Sequence, residues 1–145
     1  MTLMKLGHFR TALILGMVLG PTAAHAQPAP SMNYTSFQLV ADQPVQLGHY
    51  GSGHKDCSAA PLPAIRVVEP PKLGQLTVRR ARIVTNEVAR CPNLMTGALV
   101  VSYRAHIGSA GADHLVYELT AFNGEVGIYD VMIDVKPSAG SLRYH

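Results

Sequence analysis

The stretch LGHYGSGHKDC, residues 47–57, sets His49, His54 and Cys57 among glycines, and farther along the chain stand Cys91, His106 and His114. Neutral imidazoles and thiolates are the groups that hold zinc and copper, so these residue types raise a transition-metal site as one chemistry. The competing chemistry is a disulfide, because Cys57 and Cys91 are the two cysteines of the chain. Which of the two applies depends on the redox compartment.

The N-terminus bears on that point. In MTLMKLGHFRTALILGMVLGPTAAHA, Lys5 and Arg10 supply a positive start, TALILGMVLG an apolar run, and AHA at 24–26 a small-x-small cleavage pattern. The combination predicts a signal peptide over residues 1–26, cleaved after Ala26, and a periplasmic or secreted product. The run falls short of the roughly 20 apolar residues that a membrane span requires. In an oxidising compartment the thiols pair, so a Cys57–Cys91 disulfide is expected, contributing roughly 3–4 kcal/mol in the chain-entropy model. A metal or redox site built on free thiols usually shows Cys-x-x-Cys spacing, which the sequence lacks.

The histidines are then left without a sulfur ligand. His49 and His54 have no strand or helix between them that forces the rings together, and His106 and His114 bracket IGSAGAD. Solvated loop histidines, and no cofactor, are the first expectation. Copper or zinc held by His49 and His54, with company from His106 or His114, is the alternative. Hydrolase chemistry has little to stand on: there is no Gly-x-Ser-x-Gly elbow, and GSG at 51–53 lacks the strand-to-helix context of a nucleophile. The carboxylates are scattered singly, and no phosphate-cradling loop is present, so the chain reads as a non-enzyme.

Signal cleavage would also alter the charge. Of twelve lysines and arginines two leave with the signal and no acid does, so ten basic residues face nine acidic ones. A near-neutral domain has little sequence-independent attraction for phosphate, and no nucleic-acid partner is expected. The one basic cluster, Arg79, Arg80 and Arg82, reads as the solvated face of a strand.

The elements that must position these groups follow from a period of two, the mark of half-buried strands. YTSFQLV and PVQLGHY are early strands, AIRVVEPP puts Ile65 and Val67 on one face, and GQLTVRRARIV alternates Leu76 and Val78 against Gln75, Thr77 and Arg79. ALVVSYRA turns Leu99, Val101 and Tyr103 inward. About seven short strands separated by turn residues argue for an antiparallel two-sheet sandwich. With no tryptophan, its core is expected to be mainly valine, leucine and isoleucine. The domain spans residues 34–136, after a lead at 27–33 and before a tail at 137–145, both with the composition of unpacked termini.

In HLVYELTAFNGEVGIYDVMIDV a two-residue Asn123-Gly124 loop would set Tyr117 against Asp130 on the buried face. A one-residue slip reverses every side chain, so this register is excluded. A three-residue loop, with Phe122 and Asn123 in a type I turn and Gly124 in the left-handed position of a G1 bulge, pairs Tyr117 with Tyr129.

VSYRAHIGSAGADHLVYEL followed by NGEVGIYDVMIDV resembles the closing half of bacterial cadherin-like and immunoglobulin-like repeat domains. Val101, Tyr103, Gly108, Gly111, Asp113, Leu115, Tyr117 and Leu119 stand at the spacings of that pattern, as do Gly124, Val131, Ile133 and Val135. PPKLGQLTV echoes the Pro-x-x-Gly segment before the middle strands of those repeats. Ala105 and Ser109 depart from the usual proline and aromatic, and the chain carries one copy where the family often has tandem arrays. The resemblance implies a two-sheet sandwich in a surface or periplasmic setting. Asp113 is expected to be a turn residue bonded to local backbone, not a metal ligand. The function expected is an exported module that binds or supports an envelope protein or polysaccharide.

Overall fold

The structure, a computed structural model, describes residues 26–138. Apart from Ala26 the signal segment lies outside the described residues, as does the tail beyond Ser138. Seven strands follow in order: β1 Ser31–Val40, β2 Pro44–Gly51, β3 Ala64–Glu69, β4 Gly74–Thr85, β5 Leu94–Ala105, β6 Gly111–Thr120 and β7 Val126–Lys136. They form a four-stranded sheet, β1-β7-β6-β3, and a three-stranded sheet, β2-β5-β4. The order β2-β5-β4 against β3-β6-β7 is that of the B-E-D and C-F-G strands of immunoglobulin-like sandwiches, with β1 beside the last strand. β1 begins at Ser31, three residues inside the segment read as a lead.

One sequence expectation of the fold needs correction. The sandwich is not wholly antiparallel, because β1 runs parallel to β7 from Ser31–Gly127 to Val40–Lys136. A parallel pair needs a long crossover, and here all the intervening strands provide it. The core is mainly aliphatic, as the composition predicts, but its largest fully buried side chains are Tyr103 and Tyr117. Around them pack Val101, Leu115, Val131, Ile133 and Val135. The tyrosines can be buried because each hydroxyl finds a partner inside the sandwich, the condition a buried phenol must meet.

The β6–β7 hairpin has the expected register, with Tyr117 opposite Tyr129. The Ala121 amide donates to Glu125 O (2.8 Å), the Gly124 amide donates to Ala121 O (2.9 Å), and Gly124 has a φ of +85°, which a side chain would disfavour.

Two β-bulges break the alternation. On β2, Gln46 pairs with Ser102 and Gly48 with Val101, so Leu47 is the extra residue. Val45 and Leu47 pack against the core, and simple alternation would send His49 in after them; the bulge turns Tyr50 inward instead. On β3, Val67 pairs with Tyr117 and Glu69 with Val116, so Val68 is extra. Alternation would bury Glu69 beside Ile65 and Val67, and the bulge turns it out. Each bulge thus keeps a titratable group off the core face.

Candidate functional site

The cysteines are joined: Cys57 Sγ and Cys91 Sγ are 2.10 Å apart across a Cα–Cα distance of 5.5 Å. The bond ties the segment after β2 to the connection between β4 and β5, and Cys57 and Arg90 beside it hold φ near +66° and +69°. Such a pairing fits an oxidising compartment. Among the described residues no helix is long and apolar enough to cross a membrane.

The four histidines are not brought together. His49 lies on the outer face of the three-stranded sheet, beside Gln46 Nε2 (3.4 Å). His54 packs its ring edge-on against Phe122, centroids 5.1 Å apart, at the β6–β7 turn. His106 is in the β5–β6 connection, where its amide donates to Leu73 O (2.9 Å). The two turns close opposite ends of the ten-residue β6, about 30 Å apart at the usual rise. His114 faces outward on the four-stranded sheet, away from His49. Among the described residues no three His, Cys, Asp or Glu are grouped to hold a metal ion.

Among the described residues His114 is the histidine paired with carboxylates. Its Nε2 lies 2.8 Å from Asp130 Oδ1 on β7, and its Nδ1 lies 3.3 Å from Glu69 Oε1 on β3. Asp130 first, then Glu69, raise the ring's pKa above its ordinary value, against a smaller opposing effect of burial. The bulge at Val68 is what brings Glu69 into this row. Flanking pairs join Arg66 to Glu118 (2.9 Å) and Lys136 to Asp134 (2.6 Å).

Asp113 is not in a turn but within β6, and its carboxylate reaches far beyond local backbone. Only 3% exposed, it accepts hydrogen bonds from the amides of Lys72 (2.8 Å), Leu73 (2.9 Å) and His114 (3.0 Å) and from the Tyr103 hydroxyl (2.8 Å). Burial pushes its pKa up, and the donors, led by the Lys72 amide and Tyr103, outweigh it, so the group stays below the usual carboxylate value. Burial, then the bond to Asp113, drives the Tyr103 phenol upward. This carboxylate fastens the PPKLG segment to both sheets. Gly108 and Gly111, on either side of the approach to it, hold φ of +82° and +112°. Asn123 in the other turn accepts the Glu125 amide at 3.1 Å.

A tyrosine cluster went unread in the sequence. Tyr50 of β2 and Tyr117 of β6 share a 2.6 Å hydroxyl contact across the sandwich. Tyr117 stacks on Tyr129 at 4.9 Å, and Tyr50 meets Tyr129 edge-on at 5.1 Å. Burial foremost, then the bond to Tyr117, pushes the Tyr50 phenol far upward. A β-carbon on Gly48 would stand 2.5 Å from the Tyr50 hydroxyl, so this approach requires glycine. The signal available was the alternation of PVQLGHY, but read straight through it would turn His49 inward and Tyr50 outward, and the bulge at Leu47 reverses this.

No family model and no curated protein matches the chain. Among solved structures, the solution structure of Amebosin is similar over 74% of this chain and 100% of that one, with 11% identity and a TM-score of 0.39, a likeness too distant to bear on role.

Proposed function

We propose that the chain is an exported, non-enzymatic immunoglobulin-like module that binds or supports another macromolecule of the bacterial envelope through the faces of its sheets. The observation that supports this reading is a segregation of charge. Strands β2, β4 and β5 carry Arg79, Arg80, Arg82 and Arg104 and no carboxylate. Strands β1, β3, β6 and β7 carry Glu69, Asp113, Glu118, Asp130 and Asp134 against Arg66 and Lys136. A sheet whose arginines have no carboxylate in any of its strands, beside a sheet whose charges are paired, favours an anionic partner on one side and sets its orientation. The resemblance to cadherin-like and immunoglobulin-like repeats agrees with a role played by surfaces.

The reading is tested by placing a photoreactive amino acid at Thr77 on one outer face, at Met132 on the other, and at Ile107 in an end loop, in the protein exported by living cells. Adducts above the monomer mass are expected from a sheet face and not from Ile107. Irradiation that yields only monomer at all three positions would overturn it.

A further inference from the structure

The outer face of the three-stranded sheet is built in rows: Pro44–Arg104–Gln75, then Gln46–Ser102–Thr77, then His49–Val100–Arg79. Six of these residues, Pro44, Gln75, Thr77, Arg79, Ser102 and Arg104, line a shallow hollow of about 390 Å³. Among the described residues none of the four arginines on this sheet forms an ion pair, whereas Arg66 and Lys136 on the other sheet are both paired. Alternation divides the basic cluster of β4: Arg79 faces out with Thr77, and Arg80 and Arg82 share the opposite side with Leu76 and Val78. The hollow therefore holds two guanidiniums, Arg104 and Arg79, two rows or about 13 Å apart along the strands, with the hydroxyls of Ser102 and Thr77 between them.

We infer that this face is a binding site for an acidic polysaccharide, a chain whose carboxylate or sulfate groups recur along a backbone of hydroxyl-bearing rings. Guanidinium forks take the anionic groups bidentately, and the hydroxyls and amides of Thr77, Ser102, Gln75 and Gln46 meet the sugar hydroxyls between them. The face fits a membrane poorly, since the exposed apolar residues of this sheet, Val78, Val84 and Met95, stand on the other side of their strands. It also fits duplex nucleic acid poorly, whose affinity draws on many phosphate contacts where two arginines stand here. Asp42 shares the neighbouring hollow with Gln75, Arg104 and His106 and marks the acidic rim of the site. This inference rests on the reading of the chain as a binding module and names the partner of one of its faces.

The test measures binding of the mature protein to polygalacturonate and to dextran sulfate at low salt, beside neutral dextran and phosphatidylglycerol vesicles. Binding to one or both acidic polymers, weakened by salt, is expected; which one binds distinguishes carboxylate from sulfate. R79Q/R104Q should weaken it about tenfold or more, the loss of roughly 1.4 kcal/mol, with an unchanged circular dichroism spectrum. R80Q/R82Q, with the same change of net charge on the other side of β4, should bind as the parent does. The site is overturned if neither acidic polymer binds, if the two double variants lose equally, or if the vesicles bind as well as the polymers. Photo-adducts at Thr77 together with no polymer binding would discard the polysaccharide and leave the binding module standing; binding of neither kind would discard both.

Discussion

The two sheets solve the problem of surface charge differently. On the four-stranded sheet the charges are neighbours across strands and neutralise one another: Arg66 with Glu118, His114 with Asp130 and Glu69, Lys136 with Asp134. On the three-stranded sheet the arginines have polar or apolar uncharged residues opposite them and no carboxylate in any strand. Exposed pairs of the first kind contribute little to stability, typically below about 1 kcal/mol each, but they leave a surface with little residual field. A surface of the second kind keeps its field for something outside the molecule. The disulfide belongs to the three-stranded side, His114 to the four-stranded side, and Asp113 and the tyrosines join the two.

That contrast can be broken at points of decreasing consequence. The largest effect is expected at the disulfide. Reduction, or the C57S/C91S variant, should lower unfolding stability by roughly 3–4 kcal/mol in a denaturant titration. The loss should fall on the three-stranded sheet, so amide exchange in β4 and β5 should quicken more than in β6 and β7.

Next comes the fastening between sheets. D113A strips a buried carboxylate from three amides and the Tyr103 hydroxyl, and a loss of about 3 kcal/mol is expected from the donors left unpaired. Because the folded pKa of Asp113 is depressed, its contribution is fully present above the ordinary carboxylate pKa and disappears as pH falls through the lower, folded value. Acid unfolding of the parent followed between pH 5 and pH 2 should therefore show a descent that D113N lacks in part.

Y50F should cost about 1 kcal/mol, since it removes one of two hydroxyls bonded across the sandwich and leaves that of Tyr117 unpartnered. A result near zero would mean that stacking of the rings, not the hydroxyl contact, joins the sheets here.

The smallest effect is expected at His114. Its folded pKa is raised by Asp130 and Glu69, so the stabilisation is fully present below the ordinary histidine value and is lost as pH rises through the folded one. The melting temperature of the parent should drift downward across that interval on the alkaline side of pH 6.5, and H114Q should not share the drift. Proton NMR should place the His114 midpoint above the ordinary value.

How far these sites could be read in advance depended on whether local pattern or long-range pairing made them. The Tyr117–Tyr129 register was legible, because a hairpin joins neighbours in sequence and one alternative would have buried Asp130. The disulfide was legible too, since only one pairing of two cysteines exists. Asp113 was recognised as a residue of the turn pattern, but three of its four donors lie ten to 41 residues away, at Tyr103, Leu73 and Lys72. Neither bulge was legible. Their effect appears only against the partner strand, and it decides that His49 and Glu69 face solvent and that Tyr50 reaches the core.

By itself, then, the sequence determined that the chain forms strands, which residues of most strands face inward, how β6 meets β7 and that two cysteines would pair. These follow from alternation, turn chemistry and counting, all local or without competitors. Tertiary structure alone decided that β1 lies parallel to β7, that the carboxylate of Asp113 joins both sheets, and that the charges of one sheet are paired while the arginines of the other have no carboxylate partner. The reason is the same in each case: a strand fixes which side its residues take, and only its neighbours in the sheet determine what stands beside them.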